Sequence, residues 1–259
     1  MRFRLSIPRQ GGLEIVPRII FRADDAGCAE SANLGILDCL EAGVVKNVGI
    51  MAPGPAFEHA ASLFRGIKNV DFGLHITLNA EWEQVKWGPV ATKNEVPTLL
   101  DGDFFTSFPK TLHDRGFSVE EAIYEIRAQL ERVRNAGLDV AYVDQHMGVG
   151  WINGLGEAIS RLIEEEGVCD GAEVPSLEQG PNILARIQRA DGTRMFVAHP
   201  SRDGVDVRQF QHEGLEPGQV AEERDAERRM LIAPEFAGAM KLGKFESVRF
   251  SEVAGEEMN

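Results

Sequence analysis

The sequence predicts a single α/β domain built on parallel strands, in a sheet that is either open or closed into a barrel. Three observations predict it. Short apolar runs alternate with amphipathic helical segments, several runs are apolar at every position, and no repeat or low-complexity linker divides the chain. A length of 259 residues also suits one (β/α) barrel, typically ~250 residues.

The elements follow in order. Residues 18–22 form the first strand-like run, and residues 31–40 a helix with Leu34 and Leu37 on one face, ending at Gly43. Residues 44–51 and 70–74 are the next two runs. Ser118-Val-Glu-Glu121 reads as a capping box, after which Val119, Ala122, Ile126, Leu130 and Val133 recur at helical spacing until Gly137. Residues 140–143 are a fourth run, and Leu155, Ile159, Leu162 and Ile163 mark a helix that stops at Gly167. Residues 194–198 are a fifth run, residues 219–231 a charged helix closed by Pro234, and residues 247–250 a last strand. Residues 79–116, rich in Trp and Phe, and residues 173–191 lack periodicity and read as long functional loops. Residues 1–17 read as an extension forming an edge or a subunit contact, the latter compatible with a homodimer, and residues 255–259 as a mobile tail.

Charge and composition exclude several partners. Twenty-seven Lys and Arg against 41 Asp and Glu leave a net charge of −14, which repels nucleic-acid phosphates. No window approaches the ~18 apolar residues of a membrane helix, and the N-terminus lacks a signal-peptide apolar block. Three scattered cysteines indicate neither a disulfide framework nor a structural zinc knot. The expectation is a cytoplasmic protein without nucleic-acid or membrane partners.

The chemistry gathers where strands end. The first run leads into Asp24-Asp25, the third into His75, the fourth into Asp144-Gln-His146 and the fifth into His199. In parallel α/β folds catalytic groups sit at the carboxyl ends of strands, so these side chains would share one mouth. One carboxylate and two imidazoles suit a divalent metal with positions open for water and substrate. Asp24, beside the candidate ligand Asp25, is placed to act as general base or to orient a water. Taken singly, Asp24-Asp25 would also suit a helix cap, and each His a backbone-bonded core residue. Their joint occurrence at strand ends favours a site. His59, His113 and His212 read as surface residues, and Cys28 as a small buried thiol.

At these residues the sequence resembles the YdjC-like family, which includes chitooligosaccharide deacetylase and the hopanoid-associated deacetylases. Ala23-Asp-Asp-Ala-Gly27 resembles the family's opening Ala-Asp-Asp-Phe-Gly, and Gly73-Leu-His-Ile-Thr-Leu78 its Gly-Leu-His-Leu. Val143-Asp-Gln-His146, His199-Pro-Ser and Arg224-Asp-Ala-Glu-Arg-Arg-Met-Leu231 resemble later motifs in the same order. The resemblance implies a distorted (β/α) TIM-like barrel, related to the NodB-type polysaccharide deacetylases, with its active site at the C-terminal ends of the strands. It implies metal-dependent removal of N-acetyl groups from an amino sugar or oligosaccharide. Asp25, His75 and His146 would hold one divalent ion (magnesium, zinc, manganese or cobalt), with Asp24 as base and His199 as acid. Trp82, Trp87 and Asp144 are assigned to substrate binding, with packing on the barrel rim as the alternative for the tryptophans. The chain departs from the pattern at Ala26, where the family has Phe, and at Met147-Gly148, where it often carries a further His. The rival readings are another metal-dependent hydrolase or isomerase acting on a sugar derivative or ester, and a carbohydrate-binding protein without catalysis.

Overall fold

Seven parallel strands form one curled sheet in the computed structural model, which describes residues 16–178, 180 and 182–254. The expectations for residues 1–15 and 255–259 lie outside the described residues. In chain order the elements begin with β1 (Arg18–Ala26), α1 (Glu30–Glu41), β2 (Asn47–Ile50), α2 (Phe57–Phe64) and β3 (Asp71–Ile76). A short hairpin, β4 (Leu100–Asp101) and β5 (Phe104–Phe105), precedes α3 (Pro109–Arg115), α4 (Val119–Asn135) and β6 (Val140–Gln145). Then come α5 (Leu155–Glu166), β7 (Cys169–Asp170), α6 (Ile183–Ile187), β8 (Thr193–Ala198), α7 (Gln219–Leu231), α8 (Pro234–Lys241), β9 (Glu246–Ser247) and α9 (Phe250–Val253).

The strand order is β7-β6-β3-β2-β1-β8, and β9 pairs with Arg18 and Ile19 of β1, ahead of the stretch that pairs with β2. The expected TIM-like barrel is met only in part. Among the described residues no ladder joins β7 to β8, and the gap is crossed by a single parallel bridge, Ser176 to Met195. The expected strand over 247–250 is corrected as well. Ser247 ends β9 and Phe250 begins α9, because Asn47 takes the Phe250 N–H through its Oδ1 (3.0 Å) and Asp71 takes the Ser251 N–H (2.7 Å), capping a helical turn.

Each strand has two burdens. Ile19, Phe21 and Ala23 of β1 face the helical layer, together with Ile36 of α1, Phe64 of α2 and Ile126 of α4. Ile20 turns inward to a separate cluster with Tyr142, Val174, Met195, Val248, Phe250 and Val253. This cluster fills the amino-terminal end of the concave face, and the Tyr142 and Phe250 rings lie 4.2 Å apart. Two glycines make room on that face. A Cβ on Gly73 would stand 2.3 Å from the Tyr142 ring, and one on Gly49 would stand 3.0 Å from Asp24 Oδ1.

Helix α4 holds the long rim segment. Its N-cap is half the expected box: Ser118 Oγ accepts from Glu121 N (3.2 Å), while the Glu121 carboxylate accepts from Thr98 N and Oγ1 instead. On its buried face Glu125 accepts from Val90 N and Ala91 N, and Gln129 bonds both backbone groups of Thr77. Buried polar side chains thus fasten a segment with no periodicity of its own. No helix among the described residues is long and apolar enough to cross a membrane.

Candidate metal centre

The mouth is assembled by register. His75 of β3 lies opposite Asp144 of β6, and Ile76 opposite Gln145, which carries the chain to His146. In an unbroken β1 the carboxylates of Asp24 and Asp25 would point to opposite faces. The ladder with β2 shifts register between Ala23 and Ala26, and Asp25 takes a left-handed φ of 68°. This irregularity re-aims Asp25, so both carboxylates reach His75. Aspartate tolerates the left-handed region better than most residues. Asn33, fully buried on α1, braces the turn by accepting from Gly27 N (2.7 Å) and donating to Ala56 O (3.1 Å).

Three ligand atoms converge. Asp25 Oδ1 lies 3.4 Å from His75 Nε2 and 3.2 Å from His146 Nδ1, and those two nitrogens are 3.3 Å apart. Asp25 Oδ1 is buried and makes no hydrogen bond. An orphaned carboxylate oxygen facing two ring nitrogens is a donor set that a divalent cation would satisfy, so the residues present fit a metal. The far side of each ligand is held. His75 Nδ1 meets Asp144 Oδ2 at 2.6 Å, His146 Nε2 meets Glu81 Oε2 at 3.1 Å, and Arg224 Nη2 donates to Asp25 Oδ2 at 2.7 Å. Asp24 is gripped by Arg22, whose Nε and Nη2 donate to its two oxygens at 2.7 Å each. Arg22 also stands 3.0 Å from Asp144.

Burial alone would raise both aspartates. For Asp25 the Arg224 guanidinium, and after it His146, outweighs burial and holds the carboxyl well below the usual range. For Asp24 burial is overcome by Arg22 and then by His75, and its carboxyl is also lowered. Burial pushes the imidazoles down, but Asp144 and Asp24 raise His75 well above its ordinary value, and Glu81 and Asp25 raise His146 to about 9. Each ring faces carboxylates from both nitrogens, so protons supply positive charge that a bound cation would otherwise bring.

The structure therefore brings Asp24, Asp25, His75, Asp144 and His146 together. Asp144 stands behind His75, 2 % exposed. His199 is half-buried beside a cavity of about 310 Å³ that it lines with Trp82, His212, Arg224 and Glu227, and its backbone N–H donates to Glu227 Oε2 at 2.6 Å. Trp82 and Trp87 are buried: Trp82 stacks on Phe210 and His212, and Trp87 Nε1 donates to Asn79 O at 2.7 Å. Of the three histidines expected at the surface, His113 is exposed, whereas His212 packs on Trp82 and His59 bonds Asn33. Cys28 is a buried thiol pushed up by burial.

Sequence reasoning missed Arg22, Glu81 and Arg224 as parts of this centre. Arg22 carried a signal, being two residues before Asp24 and so on the same strand face. Glu81 lies in an aperiodic loop and Arg224 on a helix rich in charge, and neither position is marked by spacing.

A family model described as YdjC-like protein matches residues 18–181. A carbohydrate deacetylase of Listeria monocytogenes serotype 4b is 33% identical over 135 residues, 51% of this chain and 52% of that one. A carbohydrate deacetylase of Halalkalibacterium halodurans is 29% identical over 151 residues, 57% of this chain and 60% of that one. The chain thus matches about half the length of these relatives. A crystal structure from Enterococcus faecalis V583, of a candidate cellobiose-phosphate cleavage protein, superposes with a TM-score of 0.73 at 18% identity, over 92% of this chain and 99% of that one. At that identity the likeness concerns the fold alone. Together with the strand-end motifs and the site built on them, the match over residues 18–181 settles the lineage: the chain belongs to the YdjC-like family.

Proposed function

We propose that this chain is a metal-dependent hydrolase that removes N-acetyl groups from amino sugars or their oligosaccharides. The observation that carries the reading is the convergence of Asp25, His75 and His146 beside a second carboxylate, Asp24. The relatives named carbohydrate deacetylases supply the substrate class. Asp25 Oδ1, His75 Nε2 and His146 Nδ1 would hold the ion. A divalent ion in that place supplies Lewis acidity, polarising a carbonyl and acidifying water towards a pKa of ~7.

The chain's own residues do the rest. Asp24, locked in orientation by Arg22, takes the proton of the attacking water, and its lowered pKa keeps it ionised at neutral pH. His199, which follows the Ala198 that pairs with Ala23 and so lies on the strand beside the one carrying Asp24, gives a proton to the departing sugar nitrogen. The adjoining cavity of about 310 Å³, with Arg224 and His212 in its wall, receives the substrate.

The test is acetate release from a panel of N-acetylated amino sugars by protein loaded in turn with zinc, magnesium, manganese or cobalt, with phosphate esters as the control panel. Acetate release from the sugars alone is expected. Phosphate release, or glycan binding without acetate release under every metal, would overturn the reading.

A further inference from the structure

We infer that Glu81 is a positioning residue of the metal centre, holding His146 in the tautomer that offers Nδ1, while Asp144 holds His75 in the opposite tautomer. The inference rests on the metal reading above and goes beyond it, because it makes the two imidazoles meet one ion through different ring nitrogens.

The argument is one of donors and acceptors. A metal-bound imidazole is neutral and carries one hydrogen; a carboxylate only accepts, so with the ion in place the nitrogen bonded to the carboxylate keeps that hydrogen and the other offers its lone pair. For His75 the carboxylate is Asp144, 2.6 Å from Nδ1, which leaves Nε2 facing Asp25 Oδ1. For His146 it is Glu81, 3.1 Å from Nε2, which leaves Nδ1 facing the same oxygen. Glu81 is 6 % exposed, and its Oε2 also accepts from Asn79 Nδ2 at 3.2 Å. Its loop is tied at three points: Trp87 Nε1 donates to Asn79 O, Lys86 Nζ to Ala80 O (2.7 Å), and Ala80 N to Thr106 O (2.9 Å). The buried tryptophan therefore serves the centre from behind, through the backbone that carries Glu81. Glu81 bonds the ring nitrogen turned away from Asp25, and it is absent from the ligand group formed by Asp25, His75 and His146. Its place is behind a ligand.

The experiment uses the full chain, stripped with a chelator and titrated with zinc by calorimetry. Glu81→Ala is expected to weaken zinc binding about 10- to 100-fold, the usual loss when such a partner is removed. Glu81→Gln, whose amide carbonyl can still accept from Nε2, is expected to recover most of that loss. A role in loop packing alone would not fix His146 in the Nε2-protonated form, so the tautomer is read beside the titrations. In zinc-loaded wild type with ¹⁵N-labelled histidine, long-range proton–nitrogen correlations should show His146 protonated at Nε2 and His75 at Nδ1. Should Glu81→Ala fail to fold, the Glu81→Gln titration and the wild-type tautomers decide the matter. His146 bound through Nε2, or Glu81→Ala binding zinc as tightly as wild type, would overturn the inference while leaving the metal reading intact. A wild-type chain that takes up none of zinc, magnesium, manganese and cobalt in the same titration would overturn both.

Discussion

The two ends of the concave face are built from the same strands and do opposite work. At the amino end Ile20, Tyr142, Met195, Val248 and Phe250 pack into a dry plug. Two residues further along β1 and β6 stand Arg22 and Asp144, and one step beyond those Asp24 and His146. A single strand thus passes from hydrocarbon to a network of buried charges within two pleats. The difference teaches where cohesion resides. The plug is stabilised by apolar burial, which tolerates no cavity, and the mouth by mutual pairing of charges that burial alone would neutralise. The candidate site therefore lies at the end held together by paired charge.

The comparison can be broken most sharply at the mouth. Asp24→Asn is expected to lower kcat/KM for acetate release by about 10²- to 10⁴-fold, the scale of losing a general base, with zinc affinity retained. Near-wild-type turnover in parallel kinetic and calorimetric measurements would remove Asp24 from that role. At the plug the expected loss is of stability. Phe250→Ala leaves a void against the Tyr142 ring and should cost about 3–5 kcal/mol in urea unfolding, while the folded fraction keeps its kcat. A matching fall in kcat would show that the two ends are not separable.

The smallest effect is one of pH, and its sign differs between the two states of the mouth. In the metal-free chain His146 is raised from its ordinary 6.5 to about 9, so the folded state binds more protons across that window. Its contribution is fully present below pH 6.5 and is lost as pH rises through about 9. With the ion bound those protons are displaced, and the decline should vanish. Denaturant midpoints between pH 6.5 and 9, with and without chelator, would check this; parallel curves would contradict it.

Much of this architecture was legible because it is local. The helix over residues 219–231 matches α7 residue for residue, since helical period and Pro234 are both written along the chain. Asp and His residues within two positions of the ends of β1, β3, β6 and β8 mark the mouth along the chain alone. What escaped is non-local. The capping box at Ser118 lost one arm because Thr98, far away in sequence, competes for Glu121. The last run turned helical where Asn47 and Asp71 accept its N–H groups.

By itself, then, the sequence determined the parallel α/β plan, the family and five of the side chains at the mouth, because strand-end placement and motif order are properties of one dimension. Tertiary structure alone decided that a single bridge and no ladder spans β7 to β8 among the described residues, and that Asp25 turns left-handed to join Asp24. It also decided that both rim tryptophans are buried and that Glu81, Arg22 and Arg224 stand behind the charged groups. The physical reason is the same in each case. A buried charge must find a partner wherever the fold brings one, and sequence spacing carries no record of that meeting.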